Sequence, residues 1–225
     1  MKNGPQKKIR LLLIDIKEET LVLIRTYVRS INGEIVEASS FEEAIGLIQK
    51  QRFDVNFINL EISLKNWFSP IEEIRSIELK RKLPFTPMIA IVSDLNHGDF
   101  ENSNLTGCQE FLQAAFSQDD LISVIHRCNQ NILIEWDPTI KELIPDYIDR
   151  RRSEVENLRE LFIAQEFEKI SQIGHKLKGS AGTYGLPFLS EVGQKLESGA
   201  SHGLRHEVLK AIVEYDWYLG KVRFI

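Results

Sequence analysis

Phe167 to Gly185 reads FEKISQIGHKLKGSAGTYG, and the period of its apolar residues decides how the C-terminal half folds. Phe167, Ile170, Ile173 or Gly174, Leu177 and Ala181 recur at three- and four-residue intervals, the spacing of one buried stripe on an amphipathic helix. His175 stands two positions before Leu177, about 200° around a helix of 3.6 residues per turn, so its imidazole is expected to face solvent. Its outward neighbours at offsets of three, four and seven are Lys178, Gly179 and Gly182, and Lys176 flanks them. A glycine inside a helix costs roughly 0.5–1 kcal/mol relative to alanine. Two on one outward stripe suggest that a partner backbone or a bulky anionic group comes close beside the imidazole.

Working outward from this stretch, helical periodicity also marks Leu143 to Ala164, Leu186 to Ser198 and Gly203 to Leu219, with turns at Gly185 and Ser198-Gly199. Four helices with short connections predict an antiparallel four-helix bundle. The pattern breaks between Ile132 and Pro138, where Trp136-Asp137-Pro138 makes a boundary. Upstream, short β-rich runs alternate with helical patterns, the signal for a parallel sheet. The strands are Ile9 to Ile14, Glu34 to Glu37, Val55 to Leu60, Met88 to Val92 and Glu110 to Leu112. Ser40 with Glu43, and Ser117 with Asp120, read as capping boxes opening helices. A less regular helix is expected around Ile71 to Leu79, and a short or poorly formed one between Ser93 and Thr106. The reading is α/β plus all-α: a doubly wound, flavodoxin-like sheet of five parallel strands over 1–131, a linker at 132–138, and a four-helix bundle over 139–225. In such a sheet the ligand site lies at the carboxyl ends of the strands.

A chain of 225 residues with 43% hydrophobic and 27% charged composition has room for two ordinary domains. Up to Gln130 there are 15 basic against 18 acidic residues, and beyond it 13 against 15, so neither half is a polycation suited to nucleic acid. No apolar run is long enough for a transmembrane helix, and the N-terminal apolar stretch, broken by Asp15, reads as a strand rather than a signal peptide. Cys108 and Cys128 fit neither a zinc site nor a disulfide framework, in agreement with a reducing cytoplasm.

Neutral imidazole is a competent nucleophile near neutral pH, and phosphorylation gives a phosphoramidate able to pass its group on. For a lone exposed histidine an inert surface role is the default, and His97, His126, His202 and His206 receive it. His175 differs through Lys178, which can supply positive charge to a phosphoryl oxygen, and through the bare backbone beside it. The run His175-Lys176-Leu177-Lys178-Gly179-Ser180-Ala181-Gly182 resembles the signature of the histidine phosphotransfer (HPt) family, and the likeness extends through Leu186, Leu189, Leu196 and Glu197. The resemblance implies that His175 is the phosphoacceptor, that Lys178 stabilises the phosphoryl charge, and that Lys176, Gly179 and Gly182 shape a docking face. It implies a phosphocarrier rather than an autonomous enzyme, with no cofactor of its own. The aspartate and Mg²⁺ would come with a partner, the receiver domain of a (hybrid) histidine kinase or of a downstream response regulator.

The N-terminal half resembles response-regulator receiver domains, which use an acidic pair after the first strand, an acceptor aspartate after the third, a hydroxyl ending the fourth and Lys-Pro ending the fifth. Here Asp15 is followed by Ile16 and Lys17, Asn59 replaces the acceptor, Ser93 keeps the hydroxyl, and Ala114-Ala115 replaces Lys-Pro. An amide is not a useful nucleophile toward phosphorus, and one dependable carboxylate is a poor site for Mg²⁺. A register error would make Asp54 or Glu61 the acceptor instead. Otherwise this half is a pseudo-receiver whose work is protein binding, including homodimerisation or steering of the HPt domain. A non-catalytic adaptor or inhibitor that binds a kinase or regulator is the second reading of the whole chain.

Overall fold

The computed structural model describes residues 8–31, 33–60, 68–93, 107–134 and 139–224. The expected short helix between Ser93 and Thr106, the boundary Trp136-Asp137-Pro138 and Glu61 lie outside the described residues. The chain divides into two compact units, one formed by 1–70 and 86–129 and the other by 71–85 and 130–225.

In the first unit the strands are β1 (Arg10–Ile14), β2 (Glu34–Ala38), β3 (Val55–Leu60), β4 (Met88–Val92) and β5 (Glu110–Gln113). All pair in parallel in the order β2-β1-β3-β4-β5, the flavodoxin-like doubly wound order. Both faces of the central strands are buried, which is why they read as continuous apolar runs instead of alternating ones. Leu11, Leu13, Phe57, Ile89 and Ile91 share one core with Leu21, Ile24 and Val28 of helix α1 (Glu18–Ser30) and with Leu121, Val124 and Ile125 of the helix that ends the unit. Helix α2 (Phe41–Lys50) begins at Ser40, whose hydroxyl accepts from the Glu43 amide at 3.2 Å. Glu43 closes its side of the cap on the Ser39 amide and hydroxyl, one residue earlier than a standard capping box places it.

Helix α3 (Phe68–Lys80) departs from the domain boundary read in the sequence, because Ile71–Phe85 group with the helical unit. Leu79 and Phe85 belong to that unit's core. Helix α4 (Gln118–Asn129) closes the first unit behind a full capping box, with Asp120 accepting from the Ser117 amide (2.9 Å) and hydroxyl (2.7 Å) while its own amide donates to Ser117 Oγ.

The second unit contains α5 (Ile144–Ile163), α6 (Phe167–Ala181), α7 (Pro187–Ser201) and α8 (Arg205–Lys221), packed around a shared core that includes Leu158, Phe162, Ile170, Leu177, Leu189, Leu196, Leu209 and Ile212. Two corrections to the sequence reading apply here. The stretch taken as a linker at 132–138 contains strand β6 (Ile132–Ile134), which pairs in parallel with β7 (Val222–Phe224). Ser198-Gly199 is not a turn, since α7 runs on to Ser201 and Gly199 is buried in it. A Cβ at Gly199 would come within 3.1 Å of Glu207 Cβ and 3.3 Å of Val208 Cγ2, so this glycine serves a close helix approach. The turn falls at Gly203, whose φ of +66° lies where L side chains are rarely found. No helix among the described residues is long and apolar enough to cross a membrane.

Candidate functional site

Helix α6 buries Ile170, Gly174, Leu177 and Ala181, and so turns His175 outward with its side chain 76% exposed. The ring is nonetheless held. Its Nδ1 lies 2.9 Å from Glu197 Oε1 of α7, and the other carboxylate oxygen, Oε2, accepts from Lys178 Nζ at 3.4 Å. Hydrogen bonding to His175 first, and to Lys178 after it, holds the Glu197 carboxyl below its ordinary range. An ionised carboxylate only accepts, so Nδ1 must carry the proton in this contact. In the neutral ring that leaves the lone pair on Nε2, the nitrogen turned away from Glu197.

The α6–α7 pair supports this triad with two more bonds, from Ser190 Oγ to the Lys178 carbonyl at 2.7 Å and from Ser171 Oγ to the Glu197 carbonyl at 3.4 Å. Lys178 is therefore where the sequence placed it, one turn from His175, with part of its donor capacity spent on Glu197. Lys176 does not join the cluster. Its charge acts on Glu154 of α5, whose carboxyl is pushed up by burial and brought down by Arg151, by the Tyr215 hydroxyl and then by Lys176.

Gly179 and Gly182 are both exposed, and a Cβ at either would meet nothing within 4 Å. Nothing inside the molecule calls for glycine at these two positions. Gly182 is also the C-cap of α6 and opens the short 3₁₀ turn Gly182–Tyr184, so it lies at the end of the helix, not in its interior.

Glu197 entered the sequence reading only as part of the family likeness, and its contact with His175 was not foreseen. It lies 22 residues from His175, and helix periodicity within one segment carries no information about which residues of two helices face each other. The available signal was its place one residue past the buried Leu196, on the shoulder of a predicted core face.

In the first unit, Asp15, Asn59, Ser93 and Ala114 do come to the same end of the sheet. Asn59 and Leu60 pair with Ile91 and Val92, the Ala114 amide donates to the Val92 carbonyl at 2.6 Å, and Ile14, which precedes Asp15, pairs with Ile58. Asp15 and Ala115 both have positive φ, 52° and 68°. For alanine this left-handed conformation costs about 1–2 kcal/mol. Among the described residues no three His, Cys, Asp or Glu side chains gather in a way that could hold a metal, and this end offers Asp15 with an amide and a hydroxyl. Asp54 is excluded as a shifted acceptor, because it precedes β3 at the opposite end of the strand, where its carboxylate accepts from the Arg10 amide at 2.8 Å.

Converting Asn59 to Asp should therefore not create a phosphoacceptor. Incubating Asn59→Asp with Mg²⁺ and acetyl phosphate is expected to give no alkali-labile acyl phosphate, and stoichiometric label would show that the pocket holds the metal after all.

Residues 142–214 match the family model of the Hpt domain. Several solved structures are similar to the N-terminal half. The chemotaxis response regulator CheY4 of Vibrio cholerae is 17% identical, with 54% of this chain and 98% of that one covered and a TM-score of 0.45. The receiver domain of a sensor histidine kinase of Pseudomonas aeruginosa is 24% identical, covering 54% and 97%, with a TM-score of 0.44. A response regulator of Thermotoga maritima is 15% identical, covering 54% and 97%, with a TM-score of 0.46. No curated protein matches the chain. The receiver-like fold rests on the strand order itself. The Hpt match and the receiver-like strand order together support a place in two-component phosphorelay signalling, in which Hpt domains are carriers of phosphoryl groups rather than catalysts.

Proposed function

We propose that this protein carries a phosphoryl group on Nε2 of His175, taking it from the aspartyl phosphate of one receiver domain and giving it to the aspartate of another. The observation that carries this reading is the exposed imidazole whose Nδ1 proton is held by Glu197. In the forward step the Nε2 lone pair forms the N–P bond while the P–O bond of the partner's acyl phosphate breaks, and the partner's carboxylate leaves with the bonding pair. Nε2 carries no proton at the start, so none has to be removed. The ring becomes cationic as the bond forms, and the Glu197 carboxylate lies against it to offset that charge. Lys178, on the same face, stabilises the phosphoryl oxygens, and the bare backbone at Gly179 and Gly182 lets the partner approach.

The metal and the acyl phosphate would be the partner's, because positioning and charge neutralisation do most of the work in phosphoryl transfer. The partners would be the receiver of a hybrid histidine kinase and that of a response regulator. The first unit, without an acceptor at Asn59, would serve protein binding.

The test mixes the protein with phosphorylated receiver domains and examines the label it acquires. Acid-labile, alkali-stable phosphate on this chain is the expected result. Receivers that keep their label, or that lose it only to water, would count against the carrier. The absent acceptor in the first unit favours a second reading, an adaptor that restrains a kinase or regulator by binding. Inhibition of such a partner that is insensitive to loss of His175 would support it.

A further inference from the structure

Gly174 of α6 and Gly193 of α7 take no part in the proposed chemistry. Gly174 and Gly193 face each other across α6 and α7. A Cβ at Gly174 would lie 2.5 Å from the Glu197 amide nitrogen, 2.8 Å from the Gly193 carbonyl oxygen and 2.9 Å from Leu196 Cβ. A Cβ at Gly193 would press on the Lys178 amide nitrogen, and would lie 2.8 Å from the Gly174 carbonyl oxygen and 2.9 Å from Lys178 Cα. Nearly all of these atoms are backbone, which cannot swing aside as a side-chain tip does. The arrangement is reciprocal. The glycine next to His175 abuts the backbone of Glu197, and the glycine one turn before Glu197 abuts the backbone of Lys178.

We infer that the Gly174–Gly193 crossing is a positioning device that sets the separation of α6 and α7 so that Glu197 reaches His175 Nδ1 and Lys178 Nζ together, and thereby fixes the imidazole in its Nδ1–H tautomer. A methyl group needs about 3.5–4 Å from its neighbours. Alanine at either position therefore drives the helices apart by roughly 0.5–1 Å, and a 2.9 Å hydrogen bond stretched by that amount is at or beyond the limit of about 3.5 Å. The Lys178–Glu197 contact, already at 3.4 Å, would open first. A ring released from Glu197 no longer has its tautomer imposed, and the Nε2–H form that then gains population has no lone pair on the nitrogen facing the partner. Gly220 of α8, away from the site, supplies the control, since a Cβ there meets nothing within 4 Å.

This inference rests on the carrier reading for its consequence but not for its test. The ¹⁵N–¹H correlation spectrum of the neutral His175 ring, recorded on the resting full-length protein without any phosphodonor, reports the tautomer directly. The Nδ1–H form is expected to dominate in the wild type and in Gly220→Ala. The ratio of Nδ1–H to Nε2–H should fall about tenfold or more in Gly174→Ala and Gly193→Ala, the size expected from losing one charge-assisted hydrogen bond. A transfer assay should then show a lower maximal rate with little change in the partner concentration giving half that rate. Glycine variants that keep their helical signal and the wild-type tautomer ratio would overturn the proposal. Loss of the fold in both would overturn it too, because the crossing would then be holding the bundle together instead of tuning the ring. A tautomer shift in a protein that never accepts phosphate would leave the positioning role standing and remove the carrier function instead.

Discussion

Replacing His175 with glutamine is expected to abolish acceptance of phosphate from a phosphorylated receiver, with transfer falling at least about a thousandfold, to the level of spontaneous hydrolysis. The side chain is 76% exposed and, among the described residues, bonds to the half-buried Glu197 of α7, so the fold should be unaffected. Glutamine keeps a donor near Glu197 but offers an amide in place of a nitrogen lone pair, which separates nucleophilicity from structure. Glu197→Gln makes the complementary cut. Its amide oxygen can still accept from Nδ1, but the negative charge that offsets the developing imidazolium is gone, and the expected loss is about 10–100-fold, the usual size for an orienting partner. Label that persists in His175→Gln would place the acceptor elsewhere. Equal losses in the two variants would mean that Glu197 does more than hold and neutralise the ring.

What could be read without coordinates follows from which physical signals are local. The strands β1, β3 and β4 were plain because a strand buried on both faces is an unbroken apolar run, and the exposure of His175 followed from its angle to Leu177. The failures share a cause. The His175–Glu197 contact, the Gly174–Gly193 crossing, the β6–β7 pair and the allegiance of 71–85 are all relations between segments far apart in the chain, and periodicity is silent on those. Gly199 was misread for a related reason. Glycine inside a helix looks like a breaker in sequence and becomes a spacer only once the residues facing it, Glu207 and Val208, are known. The gathering of Asp15, Asn59, Ser93 and Ala114 at one end of the sheet was legible in outline, because each lies at or just past the end of a strand and parallel pairing brings strand ends together without further information. The strained φ at Ala115 was not.

Phe85 carries the other large expected effect. It is 6% exposed, belongs to the core of the helical unit, and lies between two guanidinium groups, with Arg159 Cζ 4.0 Å and Arg75 Cζ 5.6 Å from its ring centroid. Its amide donates to Asp216 of α8 at 3.2 Å, the same carboxylate that pairs with Arg159 at 3.1 Å, and Arg159 also donates to the Leu83 carbonyl at 3.0 Å. Arg159 is 2% exposed, and a buried charge of this kind is tolerated only with its partners in place. Phe85→Ala removes a buried aromatic ring and leaves a cavity, at a cost of about 3–5 kcal/mol, and also removes the ring that the buried guanidinium lies over. Against a total stability of roughly 5–15 kcal/mol that is a large fraction. Amide hydrogen exchange in α5 and α8 should accelerate accordingly, and the urea midpoint of the helical signal should fall. Lys82→Ala is the control. It removes an ion pair with Glu160 in which both side chains are more than 60% exposed, and should leave the urea midpoint and the exchange rates close to those of the wild type. If exchange in α5 and α8 were unchanged in Phe85→Ala, residues 71–85 would not be part of the helical unit's cooperative core. If it accelerates as expected, cutting the chain ahead of Ile132 to isolate the Hpt domain would also remove part of its packing. The role of the N-terminal unit in partner choice is then better tested by substitutions on that unit than by its deletion.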